Sequence, residues 1–120
     1  MMRYRYHEFN TGNDLLDQSL EKYIMHGFEP GGFLTSVLAN DLFMAVGRAD
    51  YWNKTNLHHI VHNVIHNMPS LSFGSYEAVT DWCRDADSRR SYYVEQLEKQ
   101  RMLDIISGNY TTPVEDNISF

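Results

Sequence analysis

A chain of 120 residues with 42% apolar and 13% aromatic side chains is the right size for one domain with one core, and it excludes two independent domains. The formal net charge of −6 is typical of a dispersed globular protein and excludes a general attraction to nucleic-acid phosphates. The single cysteine, Cys83, can form neither an internal disulfide nor a thiolate metal site, so the sequence favours the cytoplasm.

The first residues of the chain alternate in polarity between positions 4 and 9 and include several aromatic side chains. This pattern predicts either a short strand or a flexible arm over residues 1–12. The same residues lack the unbroken apolar run of a secretory signal, and no segment approaches the roughly 18 apolar residues of a membrane span. We therefore expect neither export by a visible signal nor a membrane anchor.

Two amphipathic helices are predicted next. The first runs from about Asp14 to His26, because apolar residues recur at helical spacing and Gly27 can close the helix in the left-handed conformation. The second opens after Pro30 and continues towards Ala49. Its apolar face consists of Phe33, Leu34, Val37, Leu38, Leu42 and Ala45.

Three further segments complete the predicted helical domain over residues 13–108. Asp50 can cap a third helix over residues 51–67, which Pro69 ends, and Ser75 can cap a fourth. Residues 88–107 are rich in helix formers and form either a fifth helix or a continuation of the fourth, up to Gly108. Residues 109–120 are predicted to be an irregular tail. The expected fold is all-α, a compact bundle of four to five helices.

Histidines invite a chemical interpretation of the third helix. His58, His62 and His66 are spaced four apart, so adjacent pairs could offer two imidazoles to one Zn²⁺. A zinc site needs further ligands, however, and neither an HExxH motif nor a cysteine pair is present. Successive histidines in this row also lie further round the helix from its apolar stripe, towards solvent. We therefore predict structural or surface histidines, with a metal site or pH-sensitive contacts as the alternatives.

Asparagines lie on another strip of the same helix, at Asn56, Asn63 and Asn67. Because asparagine is only a modest helix former, propensity does not explain a row of them. The row either hydrogen-bonds a partner or ligand, or forms a solvated face.

Glycines precede two predicted helix starts, in the sequences from Glu29 to Phe33 and from Phe73 to Ser75. Free amides at a helix start attract anions, and glycine lets a phosphate approach the backbone closely. Neither segment is a P-loop or has the GxGxxG spacing. The alternative is that Gly31 and Gly32 form a tight turn between helices.

A polar group is concentrated where the second and third helices meet. It contains Asn40, Asp41, Arg48, Asp50 and Asn53. Arg48 could bind a phosphate or a carboxylate through two parallel hydrogen bonds. Alternatively, the acidic residues and Arg48 fix the interhelical corner through caps and ion pairs.

An ordered set of short motifs extends over residues 23–82. It comprises Gly27, the sequence PGGF at residues 30–33, Val37 and Leu38, the sequence NDL at residues 40–42, the sequence RAD at residues 48–50, Asn53, Pro69, Gly74, Ser75 and Trp82. In these residues the chain resembles a group of small proteins encoded by bacteriophages and prophages. The histidines depart from that pattern. The resemblance implies a phage origin and favours host takeover or counter-defence.

No activated nucleophile or other catalytic motif is found, so we expect a non-enzymatic binding protein without a cofactor. It would form homo-oligomers in the host cytoplasm and blunt a host defence. It would do so either by capturing a cyclic or ADP-ribose-type nucleotide or by occupying a host defence protein, without binding nucleic acid or membrane. The expected ligand-binding residues are Gly31, Gly32, Arg48, Asn53 and Ser75. Structural modules and metal-dependent enzymes are the remaining alternatives.

Overall fold

The computed structural model describes residues 7–108, which form seven α-helices and two 3₁₀ turns, with no strand in that range. The helices are α1 (Asp14–His26), α2 (Gly32–Leu38), α3 (Leu42–Arg48), α4 (Tyr51–Thr55), α5 (Leu57–Asn67), α6 (Tyr76–Cys83) and α7 (Arg89–Ser107), and the 3₁₀ turns are Ser70–Ser72 and Ala86–Ser88. The predicted all-α class is confirmed. The predicted number of four to five helices is too low, because two of the predicted helices are divided.

Helix α1 has the predicted bounds, and both of its ends are set by local chemistry. The side chain of Asn13 accepts hydrogen bonds from the backbone amides of Leu15 and Leu16, so it caps the first turn. At the other end Gly27 has φ +70°, the left-handed conformation that closes a helix. The sequence prediction for this helix is confirmed.

The predicted second helix is divided into α2 and α3 by the pair Asn40 and Asp41. Asn40 has φ +61°, a conformation that asparagine tolerates better than most residues and that ends a helix. Asp41 then caps α3 by accepting a hydrogen bond from the amide of Met44 at 3.1 Å. These residues therefore turn the chain between two short helices.

Asn56 divides the predicted third helix into α4 and α5. Its backbone amide and its side-chain amide both donate to the carbonyl of Trp52, at 3.0 and 2.8 Å, and its own backbone leaves the helical region with φ −109° and ψ 10°. The predicted caps on either side are confirmed: Asp50 accepts from the amide of Asn53 at 2.7 Å, and Ser75 accepts from the amide of Ala78 at 3.0 Å.

Helices α6 and α7 are separate, which settles the alternative left open by the sequence. Between them Asp85, Asp87 and Ser88 all have positive φ values, from 53° to 58°, so the backbone cannot continue as a regular helix. The side chain of Asp85 accepts hydrogen bonds from the amide and the hydroxyl of Ser91, which fixes the start of α7. The predicted tail, residues 109–120, lies outside the described residues.

The core is built where α1, α2, α5 and α6 meet. Its most buried members are Leu20, Tyr23, Ile24, Leu34, Leu38, Ile60, Val64, Val79 and Trp82. Most of these residues belong to the apolar faces predicted from helical spacing. Tyr23 also has a polar role, since its hydroxyl donates to the carbonyl of Ser72 at 2.6 Å.

Trp82 joins the ends of three helices. Its indole nitrogen donates to the carbonyls of Tyr23 and Ile24, which belong to the last turns of α1. The backbone carbonyl of Trp82 accepts from Nε of Arg90, a residue of α7, at 3.0 Å. The ring itself packs edge-on against Tyr93, with centroids 5.9 Å apart. Polar groups at these helix ends are thus satisfied inside the fold.

Residues 7–12, the described part of the predicted N-terminal arm, pack on the helices. Buried His7 contacts Glu21 of α1 through Nδ1 at 2.9 Å and the hydroxyl of Tyr93 of α7 through Nε2 at 2.7 Å. Thr11 donates from its amide and its hydroxyl to Asp17. No strand is formed over residues 7–12, and residues 1–6 lie outside the described part of the chain.

Candidate functional site

The start of α2 and the end of α3 meet at an exposed corner, where Arg48 crosses from one helix to the other. Its Nη1 donates to the carbonyl of Gly32 at 3.3 Å and to the hydroxyl of Ser36 at 3.2 Å. A Cβ atom on Gly32 would lie 3.3 Å from that nitrogen, so glycine lets the guanidinium approach closely. Ser36 is fully buried and anchors the inner side of the contact.

Asp41 and Tyr76 form the second contact of the corner. The hydroxyl of Tyr76, the first residue of α6, donates to Oδ2 of Asp41 at 2.6 Å. The other carboxylate oxygen accepts the capping bond from the amide of Met44. Asp41 therefore caps the start of α3 and also connects α6 to the turn between α2 and α3. We call Gly32, Ser36, Asp41, Arg48 and Tyr76 the α2–α3 corner.

The charges of the corner act on one another. The hydrogen bond from Tyr76 holds the pKa of Asp41 below its usual range, with smaller contributions from the Met44 amide and from the positive charge of Arg48. The same hydrogen bond raises the pKa of Tyr76, against the Ser36 hydroxyl and Arg48, which lower it. At neutral pH the corner consequently holds a carboxylate, a neutral phenol and a guanidinium.

We expect Tyr76→Phe to raise the pKa of Asp41 towards its ordinary value, because the largest cause of the lowered pKa is lost. In the native protein the carboxylate stabilises the fold above the ordinary aspartate range, and this contribution is lost as the pH falls through the lowered pKa. Carboxyl-carbon NMR titration would measure the change. Asp85 is an internal control, since its pKa is lowered by Ser91 and should stay the same. An unchanged Asp41 titration would contradict the assigned cause.

A shallow, open depression of about 390 Å³ lies beside the corner. Its lining residues are Ala39, Asn40, Asp41, Leu42, Phe43 and Tyr76. The depression therefore has a carboxylate and an amide on the turn between α2 and α3, and two aromatic side chains. Groups of this kind can bind a flat polar ligand, with rings stacking on its faces and polar atoms reading its edge.

The predicted binding residues are only partly gathered at this corner. Gly32 and Arg48 are in contact, and Gly31 caps the start of α2 beside them. Ser75 uses its hydroxyl as the cap of α6. Asn53 lies in α4, and its Oδ1 is buried without a hydrogen-bond partner among residues 7–108. Because α2 spans only seven residues, the corner is a side-chain arrangement more than a helix-start site for anions.

Ser36 and Tyr76 were not predicted from the sequence as site residues. Ser36 lies among the apolar residues of α2, where a serine carries no visible chemical signal. Tyr76 meets Asp41 across 35 residues of chain, and no spacing rule reports such a contact. The capping role of Ser75 was the one local sign that the residue after it begins a helix.

The histidines of α5 are exposed, which confirms the predicted surface histidines. The rings of His62 and His66 lie with their centroids 4.1 Å apart, and Nε2 of His59 lies 2.5 Å from the carbonyl of Asn10. Over residues 7–108, no group of three or more histidine, cysteine or acidic side chains could hold a metal ion.

The asparagine strip has a structural use that neither sequence interpretation anticipated. Asn63 is buried, and its side chain both accepts from the amide of Asn10 at 2.8 Å and donates to its carbonyl at 3.1 Å. It therefore holds the segment before α1 in the way that a neighbouring strand would. Asn67 in turn donates to Asn63.

Cys83 is half-buried at the end of α6, as its apolar neighbours predicted. Burial raises the pKa of its thiol, with a further contribution from the negative charge of Glu29. A raised pKa keeps the thiol protonated and weakly nucleophilic.

Comparison with family models, with curated proteins and with solved structures found no match. Within residues 7–108, every helix is too short or too polar to cross a membrane.

Proposed function

We propose that this chain is a phage-encoded, non-enzymatic binding protein that blunts a host defence in the host cytoplasm by capturing a nucleotide signal. The supporting observation is the α2–α3 corner, where the carboxylate of Asp41 and the phenol of Tyr76 line one open depression. The exposed guanidinium of Arg48 is held against Gly32 and Ser36, close enough to act electrostatically on both groups. The resemblance to phage-encoded proteins supplies the biological setting. A cyclic or ADP-ribose-type nucleotide offers the phosphate, hydroxyl and base groups that these three side chains can bind.

Arg48 is the proposed phosphate ligand. Nη1 makes both of the hydrogen bonds that hold its guanidinium to α2, and the side chain is exposed. Nε and Nη2 are therefore available to a phosphate, which favours two parallel charge-assisted hydrogen bonds. Gly32 leaves the space beside the guanidinium free of a side chain, whereas an added Cβ on Gly31 would meet nothing within 4 Å. The predicted role of Gly31 in ligand binding therefore stays a prediction.

Tyr76 and Asp41 are the proposed ligands for the base and the sugar. The ring of Tyr76 is 45% exposed, so a base can stack on it while the hydroxyl stays bound to Asp41. The carboxylate of Asp41 is an acceptor for a ribose hydroxyl or a base amino group. The predicted roles of Asn53 and Ser75 in ligand binding gain no support from their positions and stay predictions.

Isothermal titration of the full chain against a panel of cyclic and ADP-ribose-type nucleotides tests this proposal. Arg48→Ala should weaken binding of the captured nucleotide by about tenfold to a hundredfold, since a hydrogen bond between charged groups contributes about 1.5–3 kcal/mol. Lys99→Ala is the matched control, because it removes one exposed positive charge from α7. It should leave the affinity unchanged.

Three outcomes would contradict nucleotide capture. The first is the absence of heat across the whole panel, and the second is an unchanged affinity in Arg48→Ala with circular dichroism showing intact helices. The third is conversion of the nucleotide to a product, seen by chromatography of the titrated mixture, which would show an enzyme.

The end of α7 supports a second candidate, occupation of a host defence protein. Met102, Leu103, Ile105 and Ile106 are each at least 44% exposed and follow one another within five residues. Exposed apolar residues gathered in this way are typical of protein-binding surfaces. In cells carrying the defence, loss of counter-defence in Leu103→Asp with activity retained in Arg48→Ala would favour this candidate. The reverse result would favour nucleotide capture.

A further inference from the structure

Helix α3 exposes an unusually apolar outer face. Leu42, Phe43, Met44 and Val46 are 62%, 88%, 40% and 41% exposed, whereas Ala45 packs inwards and is 2% exposed. Phe43 is the most exposed large apolar side chain among residues 7–108. No acidic residue occurs between Leu42 and Ala49, so the centre of this face carries no negative charge. An apolar centre is typical of a protein interface.

Gly47 lies on the same face as Phe43, one helical turn later. A Cβ atom added to Gly47 would meet nothing within 4 Å, so the packing of this chain does not require glycine there. Glycine within a helix nevertheless costs about 0.5–1 kcal/mol relative to alanine. Gly32 differs, because its missing side chain leaves room for Arg48. The absence of a side chain at Gly47 would be explained if a group from another molecule packed closely against it.

We propose that a second copy of this chain supplies that approach, with the two α3 helices packed antiparallel about a two-fold axis. A two-fold axis near Ala45 places Phe43 of each copy over Gly47 of the other, since both residues lie two positions from the centre. The ring of Phe43 fits the space above Gly47, and the two-fold axis makes this contact twice in the dimer. A partner of another kind would not need both parts on the same helix.

Each copy carries a formal net charge of −6, which opposes association, so the apolar contact has to outweigh this repulsion. The evidence for the dimer is the outer face of α3 and not nucleotide capture, although Phe43 also lines the depression beside Tyr76.

Sedimentation velocity on the full chain, over a range of concentrations, tests for the dimer. Phe43→Gln and Gly47→Gln should each weaken dimerisation by about tenfold or more, because the first removes the apolar ring and the second fills its space. At concentrations where the chain is monomeric, Gly47→Gln should keep or improve thermal stability, since glutamine is the better helix former and has room there. Leu15→Gln is the control, because Leu15 is 73% exposed on α1. It should leave dimerisation unchanged.

Cross-linking tests the pairing itself. In a Cys83→Ser background, protein carrying Phe43→Cys is mixed with protein carrying Gly47→Cys under mild oxidation, and the mixed disulfide dimer should form faster than either homodimer. A monomer at every concentration would overturn the proposal. So would a dimer that both glutamine variants leave intact, preferred cross-linking of like with like, or a monomeric chain that binds a host protein through Phe43.

Discussion

Trp82→Ala is expected to lower the free energy of unfolding by about 3–5 kcal/mol, the cost of removing a large aromatic side chain from a core. Trp82 is 1% exposed, so the space that it leaves is enclosed by the fold. The variant also loses the indole donor to the last turns of α1 and the edge contact with Tyr93. Urea unfolding followed by circular dichroism would measure the change.

Trp82→Phe separates the two contributions, since it keeps an aromatic ring and removes the indole N–H. Without the indole N–H, the carbonyl of Tyr23 keeps its hydrogen bond from the amide of Gly27. The carbonyl of Ile24 loses the hydrogen bond that the indole donates to it. We expect this variant to retain part of the stability lost in Trp82→Ala. A loss below about 1 kcal/mol in Trp82→Ala would show that α1, α6 and α7 do not depend on this side chain.

Gly27→Ala is expected to lower the free energy of unfolding by about 2–4 kcal/mol, for two separable reasons. The residue has φ +70°, and a left-handed conformation costs an L-residue about 1–2 kcal/mol. Its new Cβ would also lie 2.7–2.8 Å from the guanidinium of Arg90. Moving that group away breaks its hydrogen bonds to the carbonyls of Trp82 and Cys83.

Gly108→Ala is the matched control for the backbone contribution. Gly108 also ends a helix, with φ +78°, but an added Cβ there meets nothing within 4 Å. The difference between the two variants therefore measures the displacement of Arg90. If thermal unfolding showed the same loss of stability in both variants, displacement of the Arg90 guanidinium would have no energetic cost.

The elements most accessible to sequence reasoning were those fixed by neighbouring residues. The bounds of α1 and the caps at Asp50 and Ser75 follow from interactions within four residues, and all are confirmed. Helical spacing likewise identified most of the buried apolar residues, because the side of a helix that faces the core repeats every three to four positions.

Competing local interactions explain the missed helix boundaries. Asn40 and Asp41 were interpreted as part of a polar ligand site, while their stronger effect is on the backbone, through a positive φ and a helix cap. At Asn56 the backbone leaves the helical region, with φ −109° and ψ 10°, and the side chain adds a second hydrogen bond to the carbonyl of Trp52. In each case the side chain offers the backbone an alternative that apolar spacing does not reveal.

Only the contact of Arg48 with Gly32 joins residues of the candidate site that were predicted from the sequence. Arg48 stood out because an arginine among acidic and amide side chains invites a binding role, and it does lie against Gly32. The rest of the corner depends on how α2, α3 and α6 pack. Ser36 is 12 residues from Arg48 along the chain, and Tyr76 is 35 residues from Asp41. Such contacts are set by tertiary packing, which local patterns do not encode.

The contact between His7 and Tyr93 joins residues that are 86 positions apart. During synthesis the first of these leaves the ribosome long before the second has been added. The segment before α1 can bind Asp17 and Glu21 early, but its full set of contacts cannot form until most of the chain has been translated. Early intermediates on the ribosome should expose the surface that Phe9 later covers. The segment before α1 should complete its packing only after α7 has left the ribosome.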